Sequence, residues 1–181
     1  MVFHFVVLSD EVDDFRRELD IDTEATFAEL NELLLKTCGY KKEMMTSFFI
    51  CDEDWNKQQE ITAVDMSDHS LKNRPKMMEH THLCDVISDD DAHNKLHILF
   101  EFDTLCERYL YMQLKEARDH EHLLTPAITL EKGKAPKQEQ DIESMIRDFD
   151  NDDMYGVDGF NDDELDLEGY QDLEDMEGSQ Y

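Results

Sequence analysis

Between Asp141 and Tyr181 the chain carries sixteen Asp or Glu against a single Arg, about half of its net charge of −29. No internal supply of cations could neutralise that many carboxylates on burial, so this segment is predicted to stay unfolded, and whatever folds must be built from the residues before it. Scattered through the acids are Phe149, Tyr155, Phe160, Leu165, Leu167, Tyr170 and Leu173. They are too few to bury a core, yet they are spaced as grips for a partner. Ile142, Met145, Ile146 and Phe149 share one face at helical spacing, which suits a short amphipathic helix formed on binding.

Residues 1–125 suffice for one hydrophobic core and leave no room for a second domain. Val2-Phe3-His4-Phe5-Val6-Val7-Leu8 and the alternating Phe15 to Ile21 flank an acidic, turn-forming stretch and read as a β-hairpin. Thr26 with Glu29 forms a capping-box pattern ahead of Phe27, Leu30, Leu33, Leu34 and Cys38 at helical spacing, and Gly39 stands where a left-handed cap ends such a helix. Thr46 to Cys51 reads as a buried strand, and 96–102 with 109–114 as paired strands. From 55 to 79 the pattern is mixed, with Ile61, Val64 and Met66 as core candidates and Lys72 to Pro75 as an exposed loop. A short helix begun by Thr81 is expected over 81–87, then a turn at Ser88 to Asp91. The expected fold is α+β, a mixed or mainly antiparallel sheet with one main helix across a face. Pro126, Gly133 and Pro136 give residues 126–140 the composition of a linker to the acidic tail at 141–181.

Charge also bounds the function. A chain with 46 acidic and 17 basic residues lacks the cationic surface that direct binding to DNA or RNA phosphates requires. Cys38, Cys51, Cys84 and Cys106 are widely spaced, without a Cys-x-x-Cys pair, and read as reduced, buried thiols. The opening residues carry no basic leader pattern and no apolar run reaches the ~20 residues of a membrane span, so a cytoplasmic location is expected.

Several stretches, taken together, resemble the plasmid pRiA4b ORF-3-like family over residues 3–116: the strand Phe3 to Leu8, Phe15-Arg16-Arg17, Ala25-Thr26-Phe27-Ala28-Glu29-Leu30, Gly39-Tyr40, Phe48-Phe49-Ile50 and Phe100-Glu101-Phe102-Asp103. The family's Pro-Pro-x-x-Trp step is Val12-Asp13-Asp14-Phe15 here, its Gly-Trp is Gly39-Tyr40, and its Tyr-Asp-Phe-Gly-Asp-x-Trp is reduced to Phe100 to Asp103. The resemblance implies a compact α+β domain and brings no reaction or cofactor with it. The family also carries a resolvase-style label, but Ser9 is followed by Asp10 and Glu11, Arg16-Arg17 lies among acids, and no basic helix-turn-helix follows.

Catalytic and metal signatures are weak. His80, His82 and Cys84 share a face only in an extended chain and show no fourth ligand, and His120-Glu121-His122 lacks the spacing of a zinc-protease helix, reading instead as a solvated helix end. Asp148 to Asp153 begins like a calcium loop but has Asp153 where Gly is needed and Gly159 where Glu is needed. No nucleophile elbow or phosphate loop occurs. No catalytic residue, metal or cofactor is expected. The expected function is a non-enzymatic interaction module whose tail binds a basic protein, nucleic-acid-binding proteins among the candidates, through Phe149, Tyr155, Phe160, Leu165, Leu167 and Tyr170. The alternative is an enzyme or small-ligand binder with its pocket on the domain, near a surface formed by Arg16, Arg17, Trp55 and Arg108. A tail that only keeps the domain soluble is the plainest account.

Overall fold

The computed structural model describes residues 1–64, 75–88, 90–93 and 96–139. Met66, residues 72–74 of the expected loop and every tail residue singled out above lie outside them. Eight strands form one sheet: β1 (Val2–Leu8), β2 (Arg16–Asp22), β3 (Ser47–Cys51), β4 (Lys57–Thr62), β5 (Lys76–Met77), β6 (His97–Asp103), β7 (Arg108–Arg118) and β8 (Ala127–Lys132). Their order is β5-β4-β3-β6-β7-β1-β2-β8. Every pairing is antiparallel except β4 with β5. With α1 (Phe27–Cys38) on one face and a single turn of helix, α2 (Asp90–His93), this is the expected α+β architecture. Among the described residues no helix is long and apolar enough to cross a membrane.

The period-two alternation of the strands divides the sheet into two faces. One face carries Phe48, Ile98, Phe100, Phe102, Leu110, Met112, Leu114, Phe3, Phe5, Val7, Leu19 and Ile21, all buried, and α1 lays Phe27, Leu30 and Leu34 against it. Phe48 is the hub, with its ring centroid 5.3 Å from that of Phe27 and 4.9 Å from that of Phe100. The helix begins and ends as its local chemistry dictates. Thr26 Oγ1 accepts from the Glu29 amide and the Glu29 carboxylate accepts from the Thr26 amide, while Gly39 at φ +71° turns the chain away.

Three expectations need correction. The 126–140 stretch is not a linker throughout: residues 127–132 are β8, pairing antiparallel with β2 from Asp20↔Ala127 to Arg16↔Lys132. Its exposed, mixed composition reflects an edge strand that needs no apolar alternation. The 81–87 helix is a 3-10 turn over Leu83–Asp85, capped by His82, whose amide donates to the Asp85 carboxylate. Thr81 instead gives its carbonyl to the Phe27 amide at 3.0 Å, tying this segment to the start of α1. Lys57-Gln58-Gln59-Glu60-Ile61-Thr62 forms β4, with Ile61 buried and Val64 exposed.

Candidate functional site

Arg17 and Arg108, expected at a domain surface, are instead buried, 2% and 8% exposed. The reason is parity. Arg17 alternates with Leu19 and Ile21, and Arg108 with Leu110, Met112 and Leu114, so both occupy core-facing positions at one end of the sheet. A buried guanidinium demands acceptors, and the segment after β8 supplies them. Arg17 donates to the carbonyls of Lys132 (2.6 Å), Gly133 (3.1 Å) and Arg16 (3.0 Å) and to Thr37 Oγ1 (3.2 Å). Arg108 grips both Glu11 carboxylate oxygens (2.8 and 2.6 Å), Asp103 (3.3 Å) and the carbonyls of Lys137 (2.8 Å) and Gln138 (3.2 Å). The Glu11 hydrogen bonds hold the Arg108 pKa above its ordinary value. Each guanidinium lies over a phenyl ring, Phe15 at 4.6 Å and Phe102 at 4.8 Å. Residues 131–138 are thus a strap across the end of the core.

The strap is fastened from the helix side as well. Tyr40 donates its hydroxyl to the Pro136 carbonyl at 3.0 Å, and the Gln138 amide takes both backbone groups of Lys41, accepting at 2.6 Å and donating at 3.1 Å. A depression of about 350 Å³ lies between Cys38–Lys41 and Ala135–Glu139. Its two tyrosine-side neighbours are chemically quiet: burial pushes the Cys38 thiol up to about 12 and raises the Tyr40 phenol well above its usual range. Lys41, paired with Glu139 at 2.7 Å, and Lys137 complete the lining of the depression.

The opposite, open face of the sheet holds a dense group of aromatic and charged side chains. Register places Glu60, Phe49, Leu99, Tyr111, Leu8, Arg16 and Lys132 in one row across β4, β3, β6, β7, β1, β2 and β8. Above this row the turn after β3 is organised by Asp52, whose carboxylate accepts from the amides of Asp54 and Asn56 and from the Asn56 and Gln58 side chains. It holds Trp55 at φ +66°, an unfavourable backbone for a bulky side chain. The indole then folds back over the face, stacked on His97 at 4.0 Å with an interplanar angle of 1° and edge-on to Tyr111 at 5.1 Å. Tyr111 in turn donates to Asp10 at 3.2 Å.

Beside this trio Lys57 Nζ lies 4.0 Å above Phe49 and 4.5 Å above Tyr109, and donates to the Tyr109 hydroxyl at 2.8 Å. Glu101, only 6% exposed, adjoins Tyr109. Desolvation raises its pKa against the pull of Tyr109 and Lys57, and Glu60 adds to the rise. Glu60 itself accepts from Ser47 Oγ at 2.9 Å. Sequence reading placed Trp55 at a domain surface and passed over its ring partners His97 and Tyr111, although the alternation along β6 and β7 was available as a signal.

The remaining candidates do not converge. Arg16 is exposed and pairs with Glu18. His82 binds the Glu24 carbonyl through Nδ1 at 2.5 Å, and His122 lies 3.2 Å from Asp22 in a loop beyond β7, not on a helix. Of the four cysteines expected to be buried, Cys51 is, Cys38 and Cys106 are half-buried, and Cys84 is exposed. Among the described residues no three His, Cys, Asp or Glu side chains are grouped to hold a metal.

No family model matches the chain, and no curated protein matches it. Among solved structures the fold is similar to the crystal structure of a protein of unknown function, MM3350, from Methanosarcina mazei Go1. The TM-score is 0.59 at 13% identity, covering 82% of this chain and 81% of that one. At that identity the likeness concerns the fold alone.

Proposed function

We propose that this chain is a non-enzymatic interaction protein, its domain a rigid docking body and its acidic tail the element that grips a basic protein. The observation that carries the reading is the tail itself, sixteen carboxylates against one Arg with aromatic and leucine residues at intervals. Its charge raises the rate of encounter with a cationic partner, and Phe149, Tyr155, Phe160, Leu165, Leu167 and Tyr170 add short-range affinity that salt does not screen. A nucleic-acid-binding protein fits this description, because such a tail competes for a phosphate-binding groove. The domain supports the reading through its two buried arginines, both engaged in holding its own strap. We also read the chain as a divergent relative of the plasmid pRiA4b ORF-3-like family with an added acidic tail, on the stretches that form β1, the capped entry to α1 and Gly39-Tyr40.

One observation favours the ligand-binding alternative, the run of Glu101, Tyr109 and Lys57 on the open face, where a carboxyl with a raised pKa adjoins a phenol bonded to an amine. The two readings separate in one experiment. The full chain, and a full-length chain whose tail acids are replaced by their amides, are used as baits at low and moderate salt. A basic protein held only by the native chain, and released as salt rises, is the expected result; equal recoveries from the two baits would sink the tail reading.

A further inference from the structure

We infer that the open face around Trp55, Tyr111 and Leu8 receives an arginine-bearing segment of the basic partner, an inference that rests on the reading above and gives the domain its own part in it. Part of this face is already occupied by a cation of the chain itself. Lys57 is seated over Phe49 of that row and over Tyr109, two residues before Tyr111 on β7, so the aromatic surface of this face takes up a cation from the protein itself. The adjoining pair, Trp55 and Tyr111, has no Lys or Arg over it among the described residues; His97 stacks on one face of the indole, so it is the other face that receives the guanidinium.

Carboxylates rim that pair on two sides. Asp10 accepts from the Tyr111 hydroxyl, while Glu53 and Asp54 stand exposed in the turn that presents Trp55. The cations further along the row are already paired, Arg16 with Glu18 and Lys132 with Asp14. Leu8, 44% exposed, extends the aromatic pair with apolar surface. A planar guanidinium stacks on indole and phenol faces while its edge bonds carboxylates, which a compact ammonium does less well.

Trp55 is the single tryptophan, so its emission reports this face and not the tail. Octa-arginine and octa-lysine are titrated into four full-length proteins: the native chain, the tail-amide chain, Tyr111→Leu, and the double variant Glu53→Gln, Asp54→Asn. Calorimetry records total binding alongside. The expected result is a saturable change in Trp55 emission with octa-arginine that survives tail amidation. Octa-lysine, and the Glu53/Asp54 variant with octa-arginine, bind this face about three- to fivefold more weakly. The exposed turn variant keeps the test valid if Tyr111→Leu misfolds. Silent emission with heats that vanish on tail amidation would overturn this inference and leave the tail reading standing. Responsive emission with heats indifferent to the tail would do the reverse. Equal responses to the two peptides would remove the arginine assignment.

Discussion

Replacing Arg108 with Met keeps an apolar stem of similar reach and deletes the group that joins β7, the β1–β2 turn and the strap. The side chain makes two bonds to Glu11, one to Asp103 and two to strap carbonyls while 8% exposed. After the change Asp103 keeps the amides of Leu105 and Cys106 as donors, but Glu11 and the carbonyls of Lys137 and Gln138 lose their partner. Breaking a buried charge pair in this way costs about 3–5 kcal/mol, a large part of the ~5–15 kcal/mol that holds a domain folded. With a urea slope near ~2 kcal/mol per M, the unfolding midpoint drops by about 2 M. Arg108→Lys retains the charge but not the fork, so it should recover only part of the loss. The assay is urea unfolding of the full chain followed by far-ultraviolet circular dichroism and Trp55 emission, with tryptic cleavage at Lys134 and Lys137 as a local probe of the strap. A loss below about 1 kcal/mol, with the strap still resistant, would place Arg108 among ordinary surface pairs and refute the clamp.

Gly133→Ala should destabilise by about 2–3 kcal/mol, because at φ +68° an added Cβ would stand 2.4 Å from the Asp14 carbonyl oxygen. Gly39→Ala, with nothing within 4 Å, should lose only the ~1–2 kcal/mol of a left-handed backbone, and equal losses in urea unfolding would discount the close approach. Glu101 has its folded pKa raised above 4.5, so its contribution is fully present below the unfolded pKa and is lost as pH rises through the folded one. Glu101→Gln should therefore remove the fall in stability between the unfolded and the folded pKa of Glu101, and a variant whose profile parallels the native one through that window would contradict the assignment. Cys84, exposed, should react first with a thiol reagent at pH 8, while Cys38, raised to about 12 by burial, should stay unlabelled until the protein unfolds, as mass spectrometry of labelled peptides will tell.

What could be read from the sequence was whatever its own neighbours decide. Thr26 and Glu29 cap each other across three residues, Gly39 ends the same helix, and β1 and β2 are joined by a short turn, so all were legible. β4 was missed because Lys57-Gln58-Gln59-Glu60 shows its polar side outward and is held by Phe48 and Phe49 of β3. β8 was missed because an edge strand needs only backbone partners. The arginines are the instructive failure. Their alternation with Leu19, Ile21, Leu110 and Met112 pointed inward, yet charge suggested the surface. The strap carbonyls that help to make burial tolerable lie 29 to 116 residues along the chain and, being backbone oxygens, carry no sequence motif. Trp55 was noticeable as an aromatic among acids, but its stack on His97 joins positions that only the pairing Cys51↔His97 brings together.

The place of β1 in the sheet also shapes how the protein must be made. One edge of this apolar strand pairs with β2, a few residues away, but its other edge pairs with β7 in the register Val2↔Arg118 to Leu8↔Tyr111. A growing polypeptide therefore holds Val2-Phe3-His4-Phe5-Val6-Val7 with a bare hydrogen-bonding edge until more than a hundred further residues have been synthesised. Such distant pairings slow folding and leave an adhesive strand open in the meantime. Nascent chains halted before β7 should be the form of this protein most dependent on chaperones.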